Sequence, residues 1–288
     1  MRTSRGGLHR SYPTNYRSQQ LALANGVFYM NKALLISPLL LVARPGFGQA
    51  PRLNDFHSLA WLVYVGDHQV AKKWAIHTEY QLRRVDWLRD PQQQLARLGL
   101  VRALGERVKA SVGYTYFQSH RYGIYAEVPG RAEPENRLYE DLTLQDQLGR
   151  LGLKHRVRLE QRWLGSRAAS GEGPVQQWEY QNRIRYQLGA TFPLQGVKID
   201  DGEFYLAGFD ELFIGFGQNV GLNVFNQNRL SGGLGFQWSP NVKAELNYLY
   251  QVRSHAEADP ASGQPVVELN QGITLNLTYS LDFTKPSQ

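Results

Sequence analysis

Cysteine is absent from all 288 residues, which excludes disulfides, thiolate nucleophiles and Cys-ligated zinc. Long apolar runs are absent too: no segment after residue 48 reaches about 18 uninterrupted apolar residues, so no transmembrane helix is expected. Acidic residues are missing from residues 1–48, which carry Arg2, Arg5, Arg10, Arg17, Lys32 and Arg44. The formal charge of +7 therefore belongs to this leader, because the remainder holds 32 − 6 = 26 basic against 25 acidic residues. A phosphate-binding surface needs a net positive stripe, so this mixture argues against a nucleic-acid partner. Catalytic signatures are missing as well. There is no G-x-S-x-G, no H-E-x-x-H and no glycine-rich phosphate loop opening a helix. The seven histidines, His9, His57, His68, His77, His120, His155 and His255, are scattered. His77 beside Glu79 is the one candidate acid–base pair, and it reads as structural. Asp210 and Glu211 are adjacent and so point to opposite faces of a strand, a poor geometry for paired carboxylates. The chain is expected to be no enzyme, with no catalytic residue, no metal site and no cofactor.

Met30-Asn31-Lys32 precedes the apolar run Ala33–Ala43, and Pro45, Gly46 and Gly48 come after it. A charged n-region, a short apolar h-region and small residues at the cut describe a cleavable signal peptide over 30–48, with cleavage after Gly48. The run is too short to span a bilayer as a helix. Residues 1–29 are polar and basic without apolar periodicity. They read as an upstream extension that is not part of the fold, leaving 49–288 as the exported domain.

What the exported part does have is alternation. Around Lys154–Leu188 the residues Lys154, Arg156, Arg158, Glu160 and Arg162 alternate with His155, Val157, Leu159, Gln161 and Trp163. Gln177, Glu179, Gln181, Arg183, Arg185 and Gln187 then alternate with Trp178, Tyr180, Asn182, Ile184, Tyr186 and Leu188. A period of two is a strand signature. A soluble sandwich would bury the apolar face, whereas a membrane barrel turns it to lipid and encloses the charged one.

The same alternation marks Lys73–Arg84, Val108–Ser119, Arg229–Trp238, Val242–Val252 and Leu269–Phe283. Leu59–Gly66 and Phe204–Phe216 read as apolar strands, and Gln93–Leu104 is blurred in phase. Leu138–Leu148 fits a strand or a short helix, and 120–137 reads as a long loop. About eleven strands result. From residue 104 onward short and long connections alternate, apart from a medium one at about 190–202. Short turns on one side and long loops on the other suit an outer-membrane barrel, for which an even strand number is the rule. The expectation is therefore an all-β, antiparallel transmembrane barrel of about 10–12 strands, with twelve preferred.

In that barrel the enclosed face collects Lys154 and the candidate lumen residues His77, Glu79, Arg83, Arg156, Arg158, Glu160, Arg162, Glu179, Arg183 and Arg185. Mixed signs on neighbouring strands predict cross-strand Arg–carboxylate pairs. They would either fill a narrow barrel or form a charged constriction.

Several strings together carry a family resemblance: Trp74, His77, Glu79, Gln81 and Arg83 in KKWAIHTEYQLR, HRVRLEQRW (His155–Trp163), NRIRY (Asn182–Tyr186), FDELFIGFG (Phe209–Gly217) and FNQNRLSGGLGF (Phe225–Phe236). From about residue 55 to 283 the chain resembles the bacterial outer-membrane proteins grouped as domain of unknown function 2490. The resemblance implies a β-barrel in the outer membrane of a Gram-negative envelope and implies no activity. Its expected partners are outer-membrane lipid and the barrel-assembly machinery and periplasmic chaperones that any such barrel meets; the oligomeric state stays open. The alternatives are a secreted soluble β-barrel that binds a ligand and an outer-membrane lipid hydrolase.

Overall fold

A computed structural model describes residues 51–128, 132–168, 170 and 173–284. The chain divides into Met1–Gly48 and Gln49–Gln288. The expected signal peptide and the upstream extension lie outside the described residues, and the strands all belong to the second unit.

Eleven strands are present among the described residues: β1 (Leu53–Ala71), β2 (Trp74–Val85), β3 (Asp90–Ala103), β4 (Val108–His120), β5 (Ala132–Leu148), β6 (Leu151–Ser166), β7 (Gln177–Pro193), β8 (Glu203–Phe216), β9 (Phe225–Ser239), β10 (Val242–Ala258) and β11 (Pro265–Tyr279). They form one closed barrel in sequence order. Consecutive strands pair antiparallel, as in Arg158 opposite Arg185 and Tyr248 opposite Ile273. Closure differs. β1 pairs with β11 in parallel, from Leu53 opposite Val266 to Val65 opposite Thr278.

Two expectations are corrected here. The preferred count of twelve gives way to eleven, and the ladder is mixed rather than wholly antiparallel. The reason is topological: an odd number of alternating strands leaves the first and last running the same way, so only a parallel ladder can seal the seam. Leu138–Leu148 belongs to β5, and that strand starts at Ala132, inside the stretch expected to be loop.

The turns at 72–73, 104–107, 149–150 and 240–241 share one rim with the connection 194–202. The connections after β2, β4, β6, β8 and β10 leave from the other, which is the long-loop rim. Tracing direct partners once round the wall from Ala71 through Trp74, Arg102, Ala110, Leu142, Val157, Tyr186, Leu212, Asn228, Val252 and Leu269 returns to β1 at Phe56. The shift is 71 − 56 = 15 residues, one of which is the bulge between Gln69 and Ala71. A stagger of that size tilts the strands by about 40°.

The wall is inverted relative to a soluble domain. Leu62, Leu98, Val112, Leu142, Leu230, Leu246 and Tyr248 are each more than half exposed. Arg83, Arg97, Arg137, Arg158, Glu160, Arg183, Arg185 and Glu211 are buried. Among the inward apolar residues, Leu59, Trp61, Val63, Val85 and Leu249 form a small cluster against Val65, Tyr122 and Phe209.

Candidate functional site

The strand period sends every second side chain inward, and the cross-strand register then decides which charges meet. Glu160 on β6 lies opposite Arg183 on β7, and Arg158 lies opposite Arg185. Glu160 accepts from Arg183 Nε at 2.8 Å and Nη2 at 2.6 Å, and from Arg185 Nη1 at 2.8 Å. Arg185 also donates to Glu211 on β8 at 2.6 Å, and Arg156 reaches the same carboxylate at 2.7 Å. Arg158 forms a two-pronged pair with Asp141 on β5, at 2.5 and 2.6 Å. Glu135 takes Arg137 at 2.5 Å and Arg162 at 2.6 Å, and Arg97 pairs with Glu79. Such charge-assisted, two-pronged bonds make a rigid ionic lattice.

Aromatic rings stitch the lattice together. Phe213 carries Arg185 at 4.3 Å, Arg229 at 4.9 Å and Arg183 at 5.2 Å from its centre. Phe117 carries Arg137 at 4.0 Å and Arg83 at 5.7 Å. Tyr139 lies under Arg158 at 4.6 Å and Arg97 at 5.0 Å. It fits only because the facing positions are Gly99 and Gly113, where an added Cβ would run into the tyrosine ring. Guanidiniums over aromatic faces are stabilised further when desolvated.

The lattice lines a cavity of about 1000 Å³ that reaches from Lys154 and Lys243 toward the short-turn rim to Glu127 and Arg253 toward the long-loop rim. His77, Glu79, Arg83, Lys154, Arg156, Arg162, Glu179, Arg183 and Arg185 line it. Arg158 and Glu160 sit behind that lining, 2% and 0% exposed. The structure thus brings all ten lumen candidates to the inner face. His77 engages carboxylates at both ring nitrogens, Asp67 at 2.7 Å and Glu79 at 3.4 Å. Among the described residues no group of three or more His, Cys, Asp or Glu is arranged to hold a metal ion.

The long-loop mouth is crossed by the segment after β4. Tyr122 donates to Glu268 on β11 at 2.9 Å and accepts from Arg253 on β10 at 3.2 Å. Its ring meets His57 edge-on at 5.0 Å. Burial, aided by the Glu268 carboxylate, pushes the Tyr122 hydroxyl well above its usual range, so it remains a donor. Glu127 receives Arg253 and the Ala256 amide, the latter at 3.1 Å. Gly123 makes the approach possible: its φ is +71°, and a Cβ there would lie 2.8 Å from His57 and 2.9 Å from Asp55.

Sequence reasoning missed Arg97, Glu135, Arg137, Asp141, Glu211, Arg229, Arg253 and Glu268 as members of this interior. For Arg253 and Glu268 the signal is present in the alternation of their strands. Glu135 and Arg137 are hidden inside the expected loop, and Glu211 reads in the sequence only as half of a carboxylate pair with Asp210. In the structure Glu211 faces in toward Arg185, while Asp210 takes the Asn228 amide at 2.7 Å.

Fold and interior together define a closed β-barrel with an apolar exterior and an arginine-rich, ion-paired lumen. No curated protein matches the chain. The chain belongs to the family described as protein of unknown function DUF2490, whose model matches residues 59–261.

Proposed function

We propose that this chain is an outer-membrane β-barrel of a Gram-negative envelope, exported by a cleavable segment at 30–48, with a non-enzymatic role as a structural barrel or a narrow binding barrel or pore. The observation that carries the reading is the inverted wall. On β3, β5, β6, β7, β9 and β11 the outward row turns polar at Gln94, Asn136, Gln161, Asn182, Asn228 and Gln271, each a few residues in from the long-loop end. From there toward the short-turn rim the outward residues are largely apolar, as in Ile273, Leu275, Leu277 and Tyr279 on β11. Glu140 and Asp210 break the row, and each bonds back to an amide of that level, Gln161 at 3.3 Å and Asn228 at 2.7 Å.

At about 3.3 Å per residue and a tilt near 40°, the run from Asn228 to Trp238 rises roughly 25 Å, the height of a barrel's lipid-facing band. Every strand has at least the 12 residues of β2, more than a spanning strand needs. The non-enzymatic part of the reading is supported by His77, whose two nitrogens are both engaged by carboxylates and so cannot take a proton from a nucleophile.

The test is refolding in detergent micelles, read as heat-modifiable gel mobility together with β-rich circular dichroism. Replacing the half-exposed Leu275 by Arg is expected to cost ~2–4 kcal/mol in lipid vesicles, because it puts a charge at mid-bilayer. A protein released from membranes by high salt, with L275R as stable as the parent in aqueous buffer, would establish the soluble ligand-binding barrel instead.

A further inference from the structure

We infer that the lumen holds a binding site for a small oxyanion, built by Arg83, Arg229 and the face of Trp61; it rests on the barrel reading above only for its surroundings. Burying a guanidinium without a counter-charge is costly, and the rest of the lattice obeys that rule. Arg97, Arg137, Arg156, Arg158, Arg162, Arg183 and Arg185 each have a carboxylate within 4.0 Å. Among the described residues Arg83 and Arg229 have none.

They are nonetheless held firmly, by neutral groups. Gln81 accepts from Arg83 Nε at 2.8 Å and Nη2 at 2.6 Å, and Gln93 accepts from its Nη1 at 2.7 Å. The Gln227 amide oxygen, in the orientation that satisfies its neighbours, accepts from Arg229 Nε at 2.7 Å and Nη2 at 2.8 Å. Glutamine fixes a guanidinium in place without cancelling its charge. A carboxylate at any of these three positions would have made another internal pair.

Both guanidiniums converge on one ring. Arg83 lies 4.2 Å and Arg229 5.0 Å from the centre of Trp61, whose indole nitrogen is tethered to Gln92 at 3.0 Å. They come from β2 and β9, separated round the wall by β1, β11 and β10, so the pair spans a chord of the lumen. All three side chains line the cavity, as do Arg137 and Arg185. Two fixed forks without a carboxylate in salt-bridge reach, set against a flat apolar platform, suit a group with two or more acceptor oxygens, a phosphate or a short carboxylate, which each fork can hold through its remaining donors.

The test is calorimetric titration of the full chain, folded in micelles, with inorganic phosphate and separately with acetate, sodium chloride holding the ionic strength constant. One anion per barrel is expected. Arg83→Gln and Arg229→Gln should each weaken it at least ten-fold, and the double variant should show no binding. Neither change strands a carboxylate, so the variants are expected to fold. Arg102→Gln, outward beside Trp74, should leave binding unchanged. A folded parent that takes up neither anion overturns the inference, and so does full-strength binding by the double variant. Failure to fold in detergent would count against the membrane reading alone; the same titration in aqueous buffer then decides the anion site by the same outcomes.

Discussion

The two halves of the lumen are built from the same kind of strand and filled by opposite rules. Toward the long-loop rim, Glu160, Arg162, Arg183 and Arg185 are buried and paired, Arg183 and Arg185 are stacked on Phe213, and the segment at 121–128 crosses the mouth. Toward the short-turn rim stand Lys109, Lys154 and Lys243, each within a few residues of a turn and, among the described residues, without a carboxylate in salt-bridge reach. The choice of cation matches the position. Arginine's planar fork can serve two carboxylates and an aromatic face at once, whereas lysine is a strongly hydrated point charge. One half is a paired ionic lattice around the cavity, which a narrow barrel uses in place of an apolar core. The other is a wet vestibule, whose charges act on whatever enters.

The comparison breaks most sharply at Glu160. It is 0% exposed and serves both Arg183 and Arg185. Arg185 would keep Glu211, but Arg183 would be left with the neutral Asn226 at 2.8 Å. Glu160→Ala is therefore expected to lower stability by ~3–5 kcal/mol, the cost of an uncompensated buried charge, measured by denaturant unfolding of the refolded barrel. Adding Arg183→Met should restore most of it, since the penalty lies in the stranded guanidinium. A loss below about 1 kcal/mol would mean that water already reaches this layer, and the two halves would not differ.

Packing density gives the next contrast. Gly113 faces the dense half, where a Cβ would meet the Leu98 carbonyl, Gly99 and the Tyr139 ring at 2.7 Å. Gly189 faces the vestibule, and its nearest neighbours to an added Cβ are Lys154 atoms at 3.7 Å. Gly113→Ala should cost ~1–3 kcal/mol as overpacking. Gly189→Ala should be neutral or slightly stabilising, because a strand glycine gains little from its freedom. Equal effects in the same unfolding assay would erase the distinction.

Where alternation is clean, as in β2, β6, β7, β10 and β11, the sequence locates the strands and the inward face of each. β1 is foreshortened in that reading because both of its faces are apolar over Leu59–Val65: Leu59, Trp61 and Val63 pack inside while Leu62 and Tyr64 face out, so no period shows. The start of β5 is hidden by Glu133-Pro134-Glu135, which reads as loop chemistry until Glu135 finds Arg137 and Arg162 inside. The direct count of eleven strands is right, and the even-number rule pulls it toward twelve. The convergence of Arg83 and Arg229 on Trp61 is not legible at all, since it depends on which strands closure brings face to face across the lumen.

The smallest effect on stability should come from the vestibule, and there a second measurement separates charge from structure. Lys154 is exposed to the lumen, and its removal strands no partner, so Lys154→Gln is expected to shift the unfolding free energy by less than about 1 kcal/mol. A charge in a confined polar passage still acts on passing ions, because low-dielectric walls focus its field. If the barrel conducts in planar bilayers, Lys154→Gln should move the reversal potential toward cation preference at an unchanged unfolding midpoint, whereas Glu160→Ala should bring a large stability loss and, with the vestibule charge intact, leave the reversal potential close to the parent's. A silent bilayer for the parent would assign the vestibule lysines to binding or surface charge rather than permeation, because the strap at 121–128 and the lattice beneath it would then form a complete plug.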